Sequence, residues 1–133
     1  MYEMWFREAY RPLIEKGRLL AAVRPGDRRS PQDKGTSPGE LFQIRIILVP
    51  GNLELGIEPK LSDFRANARI EWIEVTTISC LTNKSLVGCS PDSQIPELVK
   101  YHLGLIYNRV FKDTDEVSVI HWTYLEEENY ESN

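Results

Sequence analysis

The chain has 133 residues and a mass of 15.4 kDa, enough for one domain with its own core and too little for two. Apolar residues make up 41% and charged residues 27%, and no run of about eighteen apolar residues occurs, which excludes a membrane-spanning helix. A net charge of -4 argues against a protein that coats nucleic acid without selection.

Trp5 and Phe6 read as a short opening strand. Tyr10, Leu13, Ile14 and Gly17 fall at i, i+3, i+4 and i+7, the stripe of a short amphipathic helix. Pro12 is tolerated in its first turn, and Gly17 is placed to end it with a positive φ. Leu19 to Arg24 reads as a second strand, stopped by Pro25-Gly26. Residues 25–39 contain no apolar side chain except their prolines and carry Asp27, Arg28, Arg29, Asp33 and Lys34. Polar loops of that length inside a small domain are usually functional or mobile.

Leu41 to Val49 reads as a strand with Phe42, Ile44, Ile46 and Leu48 on one face and Gln43 and Arg45 on the other. Residues 51–65 carry no decisive pattern. Ala68 to Cys80 is β-rich with a change of phase, Ile70 and Trp72 on one face and then Ile73 and Val75 on the other. That predicts a bulge, or a strand buried on both sides as in a barrel. Ile95, Leu98, Val99, His102, Leu103 and Ile106 form the stripe of a second helix, with Ser93 as its cap and Pro96 and Glu97 in its first turn. Val117 to Leu125 alternates as a closing strand.

This order predicts an α+β, β-rich domain: a closed or nearly closed mixed barrel of five to six strands with two peripheral helices. The domain spans residues 1–125. Residues 126–133, with Glu126, Glu127, Glu128 and Glu131, read as an acidic, frayed tail. Residues 1–34 hold eight basic and five acidic side chains, whereas the remainder holds eight basic and fifteen acidic ones. The charged start Met1-Tyr-Glu-Met-Trp-Phe-Arg-Glu is unlike a secretory signal, so a cytoplasmic location is expected. Cys80 and Cys89 have neither the spacing nor the neighbouring histidines of a zinc site and read as reduced thiols. No metal or cofactor is expected.

The run Trp5-Phe6-Arg7-Glu8-Ala9-Tyr10-Arg11-Pro12-Leu13-Ile14-Glu15-Lys16-Gly17-Arg18-Leu19-Leu20-Ala21-Ala22-Val23-Arg24 resembles the opening of an ASCH domain, a branch of the PUA-like superfamily. That family carries G-x-K-x-x-E-x-R, often with Thr for Glu, then a K-x-G-D turn, a long V-x-I-x-x-V strand, a helix and a last strand V-x-V-I-x-F. Ser37-Pro38-Gly39-Glu40, Ala68 to Val75 and Val117-Ser118-Val119-Ile120-His121-Trp122 follow in that order. The resemblance implies a PUA-like pseudobarrel with a cleft beside the first helix, in a family associated with RNA binding. Some bacterial members are hydrolases of acylated cytidines, or nucleases. Gly17 and Arg24 match the motif, but Leu19 stands at the Lys position and Ala22 at the Glu/Thr position. In hydrolytic members those two residues supply the base and the nucleophile. Leu and Ala carry no heteroatom and do neither.

Arg24, Arg28, Arg29 and Lys34, with Gly17 of the motif, are the candidate ligand-binding residues; arginine offers a rigid charged fork to phosphate or to a base edge. The plainer alternative for Arg28, Arg29 and Lys34 is solvation, and for Arg24 an ion pair with Glu71 or Glu74. Trp72, Tyr107, Trp122 and Tyr124 could stack a base, although aromatics in alternating strands are more often core. His102 and His121 read as hydrogen-bonded core histidines. The expected function is a small module binding RNA or a modified nucleotide or nucleoside without metal or membrane. The alternative is a hydrolase or ribonuclease of the same fold with a rebuilt site, drawing its acid and base from residues such as His121, Glu71 or Glu74.

Overall fold

Met4 and Phe6 alternate inward, so the opening strand is longer than the Trp5–Phe6 pair: β1 spans Tyr2–Arg7. The computed structural model describes residues 2–29, 37–52 and 54–125. The expectations for Lys34, for the middle of the 25–39 loop and for the 126–133 tail lie outside those residues.

After β1 come one 3-10 turn, Glu8–Tyr10, and a short helix α1, Arg11–Glu15, with Pro12 in its first turn. Gly17 ends the helix as expected, at φ +67°, and donates its amide to the Ile14 carbonyl at 3.0 Å. Strand β2 spans Ala21–Pro25, two residues shorter at its start than predicted. The Leu20 amide donates to the Gly88 carbonyl at 2.8 Å, a bond outside the sheet.

Strand β3, Leu41–Val49, buries Phe42, Ile44 and Ile46 as the alternation predicts, but Leu48 is 51% exposed. Its pairing with the next strand shifts after Arg45 and again after Ile47, which turns the strand's end away from the core. That next strand, β4, spans Lys60–Thr77 and so begins inside the segment whose sequence carried no pattern. Its register shifts between Ile70 and Trp72, the bulge that the change of phase predicts. Ile78–Cys80 form a 3-10 turn rather than extending the strand.

Helix α2 spans Pro96–Tyr107, with Ile95 rather than Ser93 at the cap position; Ser93 belongs to a separate turn, Pro91–Ser93. Only Val99 and Leu103 of its stripe are buried, while Leu98 and Ile106 stay partly in solvent. Strand β5 spans Glu116–Tyr124.

The five strands form one sheet in the order β1-β3-β4-β5-β2, with β1 parallel to β3 and every other pair antiparallel. β1 and β2 are its two edges. The sheet curls until these edges face each other across an open seam, spanned by Arg24 of β2, which reaches the Trp5 carbonyl of β1. The architecture is therefore the predicted α+β, PUA-like pseudobarrel, with five strands and two helices among the described residues, closed except at the seam.

Two cores hold the fold. One fills the inside of the curl with Met4, Phe6, Ile14, Leu19, Phe42, Ile44 and Trp122 among others. The other, with Val23, Ile78, Leu86, Val99, Leu103, Val117 and Val119, lies between the outer face of β2 and β5 and helix α2. β5 serves both, since Ile120 and Trp122 point inward and Val117 and Val119 outward. The strand buried on both faces is thus β5 and not Ala68–Cys80.

Candidate ligand-binding site in the barrel seam

The gap between β1 and β2 is a cavity of about 250 Å³. Phe6, Leu19, Ala22 and Val23 give it apolar walls; Arg24, Tyr10, Ser90, Ser93 and His102 bring polar groups to it, and Tyr107 of α2 adds a ring. Its size is below the usual range for drug-sized ligands and suits one small ring system.

Arg24 sits next to the end of β2, where strand pairing fixes its backbone. Its Nη1 donates to the Val23 carbonyl at 3.1 Å and its Nη2 to the Trp5 carbonyl at 3.5 Å, and the guanidinium lies 5.0 Å from the centre of the Phe6 ring. The expected alternative, an ion pair with Glu71 or Glu74, is not formed. Glu71 accepts from the Thr123 hydroxyl and Glu74 from the Ser85 hydroxyl. Among the described residues no carboxylate pairs with Arg24. Burial pushes the guanidinium below its ordinary pKa, opposed by the Tyr107 and Tyr2 hydroxyls and assisted by the charge of Arg28. Arginine stays charged even so. The cavity wall therefore carries a cation that none of the described carboxylates neutralises.

The other candidates that lie among the described residues are not gathered there. The Arg28 amide donates to the Ser118 hydroxyl at 2.9 Å and its Nε to the Pro25 carbonyl at 2.8 Å, and Arg28 is not in the cavity lining. Arg29 forks onto Asp27 at 3.0 and 2.8 Å, and that contact holds the Asp27 carboxyl down at about 2. Gly17 lies outside the lining and serves the helix end.

The wall facing Arg24 was not legible as a site. Tyr10 donates its hydroxyl to Asp92 Oδ2 at 2.6 Å, Ser90 donates to Asp92 Oδ1, and Ser93 donates to the same oxygen at 3.3 Å. His102 Nδ1 stands 3.9 Å from Asp92 Oδ2. Burial alone would raise the Asp92 pKa; the Ser90 and Tyr10 hydroxyls and His102 outweigh it and hold the carboxyl below its ordinary value. The same burial and the same carboxylate push Tyr10 up to about 12. Ser90-Pro91-Asp92-Ser93 just ahead of a helix has a ready capping explanation, and that hid it.

The cavity is poor in nucleophiles. Leu19 and Ala22, which the motif resemblance sets against Lys and Glu/Thr, both line it and are 2% and 6% exposed. Burial pushes the Cys89 thiol up to about 12, so it stays protonated. Ser90 gives its proton to Asp92 and not to His102, so no relay activates its oxygen. His121, Glu71 and Glu74 do not line the cavity. His121 instead stacks flat on Trp72 on the outer face, ring centres 3.9 Å apart, and burial lowers its pKa against the opposing charge of Glu74. Trp122 is core, packed on Phe6 and Phe42, and Tyr124 donates to the Leu19 carbonyl at 2.6 Å. Among the described residues no group of three His, Cys, Asp or Glu could hold a metal ion, and no helix is long and apolar enough to cross a membrane.

No family model and no curated protein matches the chain. Solved structures are similar to it. An ASCH domain from Lactobacillus crispatus shares 10% identity at a TM-score of 0.51, over 85% of this chain and 68% of that one. A protein of family DUF984 from Enterococcus faecalis shares 14% identity at a TM-score of 0.51, over 86% of this chain and 68% of the other. The chain has an ASCH-like fold.

Proposed function

We propose that this domain is a binding module for RNA or a modified nucleotide, and that it seats one base or nucleoside in the seam cavity beside α1. The observation that carries the reading is Arg24, a cation without a carboxylate partner among the described residues, held at the wall of a small, largely apolar pocket. Its donors suit a phosphate or the acceptor edge of a base, and the Tyr107 ring, which is partly exposed, suits the base's face. The ASCH-like fold and the aliphatic side chains at the two catalytic positions of the family's hydrolases support binding over turnover.

Fluorescence anisotropy with labelled single-stranded RNA at several salt concentrations tests it, comparing the wild type with Arg24→Ala. Three phosphate contacts predict a log–log salt slope of about -2, at roughly -0.7 per phosphate. The substitution should remove binding while the melting temperature holds, and an unfolded Arg24→Ala protein would make Arg24 a structural residue instead. Incubation with an acylated cytidine should release no acid; measurable turnover would favour the hydrolase of rebuilt site.

A further inference from the structure

Tyr10, Ser90 and Ser93 line the seam cavity, whereas Asp92, to which all three donate, does not. An ionised carboxylate has lone pairs and no proton, so the hydrogen in each of these contacts comes from the hydroxyl. A hydroxyl has one proton and two lone pairs. With the proton given to Asp92, what remains for a ligand is acceptor capacity. His102, also in the lining, turns Nδ1 toward the same carboxylate. Arg24 and Arg7, in the same lining, have donors only. The cavity thus sets accepting hydroxyl oxygens beside donating guanidinium groups.

We infer that Asp92 is a positioning residue that fixes this polarity, so that the cavity selects a base carrying an amino donor beside a ring or carbonyl acceptor over the same base without the amino group. The inference rests on the base-binding reading above and adds the edge that is read. Asp92 does this without touching the ligand. The three hydroxyls come from the turn after β1 and from the segment ahead of α2, and the carboxylate gathers their protons at one point.

The test is a calorimetric titration of the full chain with adenosine 5′-monophosphate and with purine riboside 5′-monophosphate, which differ only in the amino group. The wild type should prefer the amino base by about tenfold, the effect of one well-made hydrogen bond in a closed site. In Asp92→Asn the amide supplies protons of its own and frees those of the hydroxyls, and the preference should shrink to about twofold or less. Equal affinities in the wild type overturn the inference and leave the base-binding reading standing. No binding of either nucleotide, or of the cytidine and uridine counterparts, overturns both.

A ligand-free readout follows the proton itself. The difference titration between wild type and Tyr10→Phe should place the Tyr10 ionisation at about 12, and in Asp92→Asn it should fall toward the ordinary tyrosine value. An unmoved Tyr10 would mean that its proton is not held by Asp92. If Asp92→Asn does not fold, Tyr10→Phe, which deletes one acceptor and keeps the carboxylate, must weaken the amino preference; an unchanged preference overturns the inference.

Discussion

In the proposed site Arg24 and Asp92 have separate roles, and they differ in how far the sequence announces them. Arg24 stands at a strand end next to Pro25-Gly26 and at a motif position, so both its fixed backbone and its charge were readable. The Tyr10–Asp92 contact joins residues 82 positions apart, and no local pattern reports such a pair. Their titrations give opposite predictions. The Asp92 carboxyl is depressed in the folded state, so its contribution to stability is present above pH about 4 and is lost as the pH falls through its folded value. Asp92→Asn should therefore flatten the acid limb of a melting-temperature profile. Tyr10 is raised to about 12, so its contribution is whole below pH about 10 and fades as the pH rises toward 12. Tyr10→Phe should flatten the alkaline limb and leave the acid limb nearly unchanged. A parallel shift of both limbs would deny the coupling.

At the scale of elements, alternation located β3 and β5 to within a residue or two, and the change of phase near Trp72 located the bulge in β4. Misreadings arose where pairing overrides pattern. Leu48 alternates correctly and still faces solvent, because two register shifts turn the strand's end. The stripe of α2 reads as six buried positions, yet the sheet below accepts Val99 and Leu103. Gly88 shows a constraint that sequence hides. It sits at φ +90°, and a Cβ there would lie 3.0 Å from Leu20 Cβ, just ahead of β2. Gly56, at φ +68°, has nothing within 4 Å of the same added atom. Gly88→Ala should lower stability by about 2–3 kcal/mol and Gly56→Ala by about 1 kcal/mol, measured by urea unfolding. Equal losses would show that backbone strain alone acts at Gly88.

Across the whole molecule, the charge asymmetry and the topology meet. The basic opening of the chain, residues 1–34, contains β1, α1 and β2, so it supplies both edges of the seam and places Arg7 and Arg24 in the lining. The acidic remainder builds the central strands and α2. A net charge of -4 is then compatible with a short anionic contact confined to one cleft. The outer face offers a rival surface in Trp72, 44% exposed and stacked on His121. Backbone amide chemical shifts mapped during titration with a short single-stranded RNA separate the two directly. The account predicts that the largest shifts fall on Phe6, Tyr10, Ala22, Arg24, Ser90 and Tyr107, around the seam. Shifts centred on Trp72 and His121, or none at RNA concentrations that saturate binding in the anisotropy titration, would contradict it.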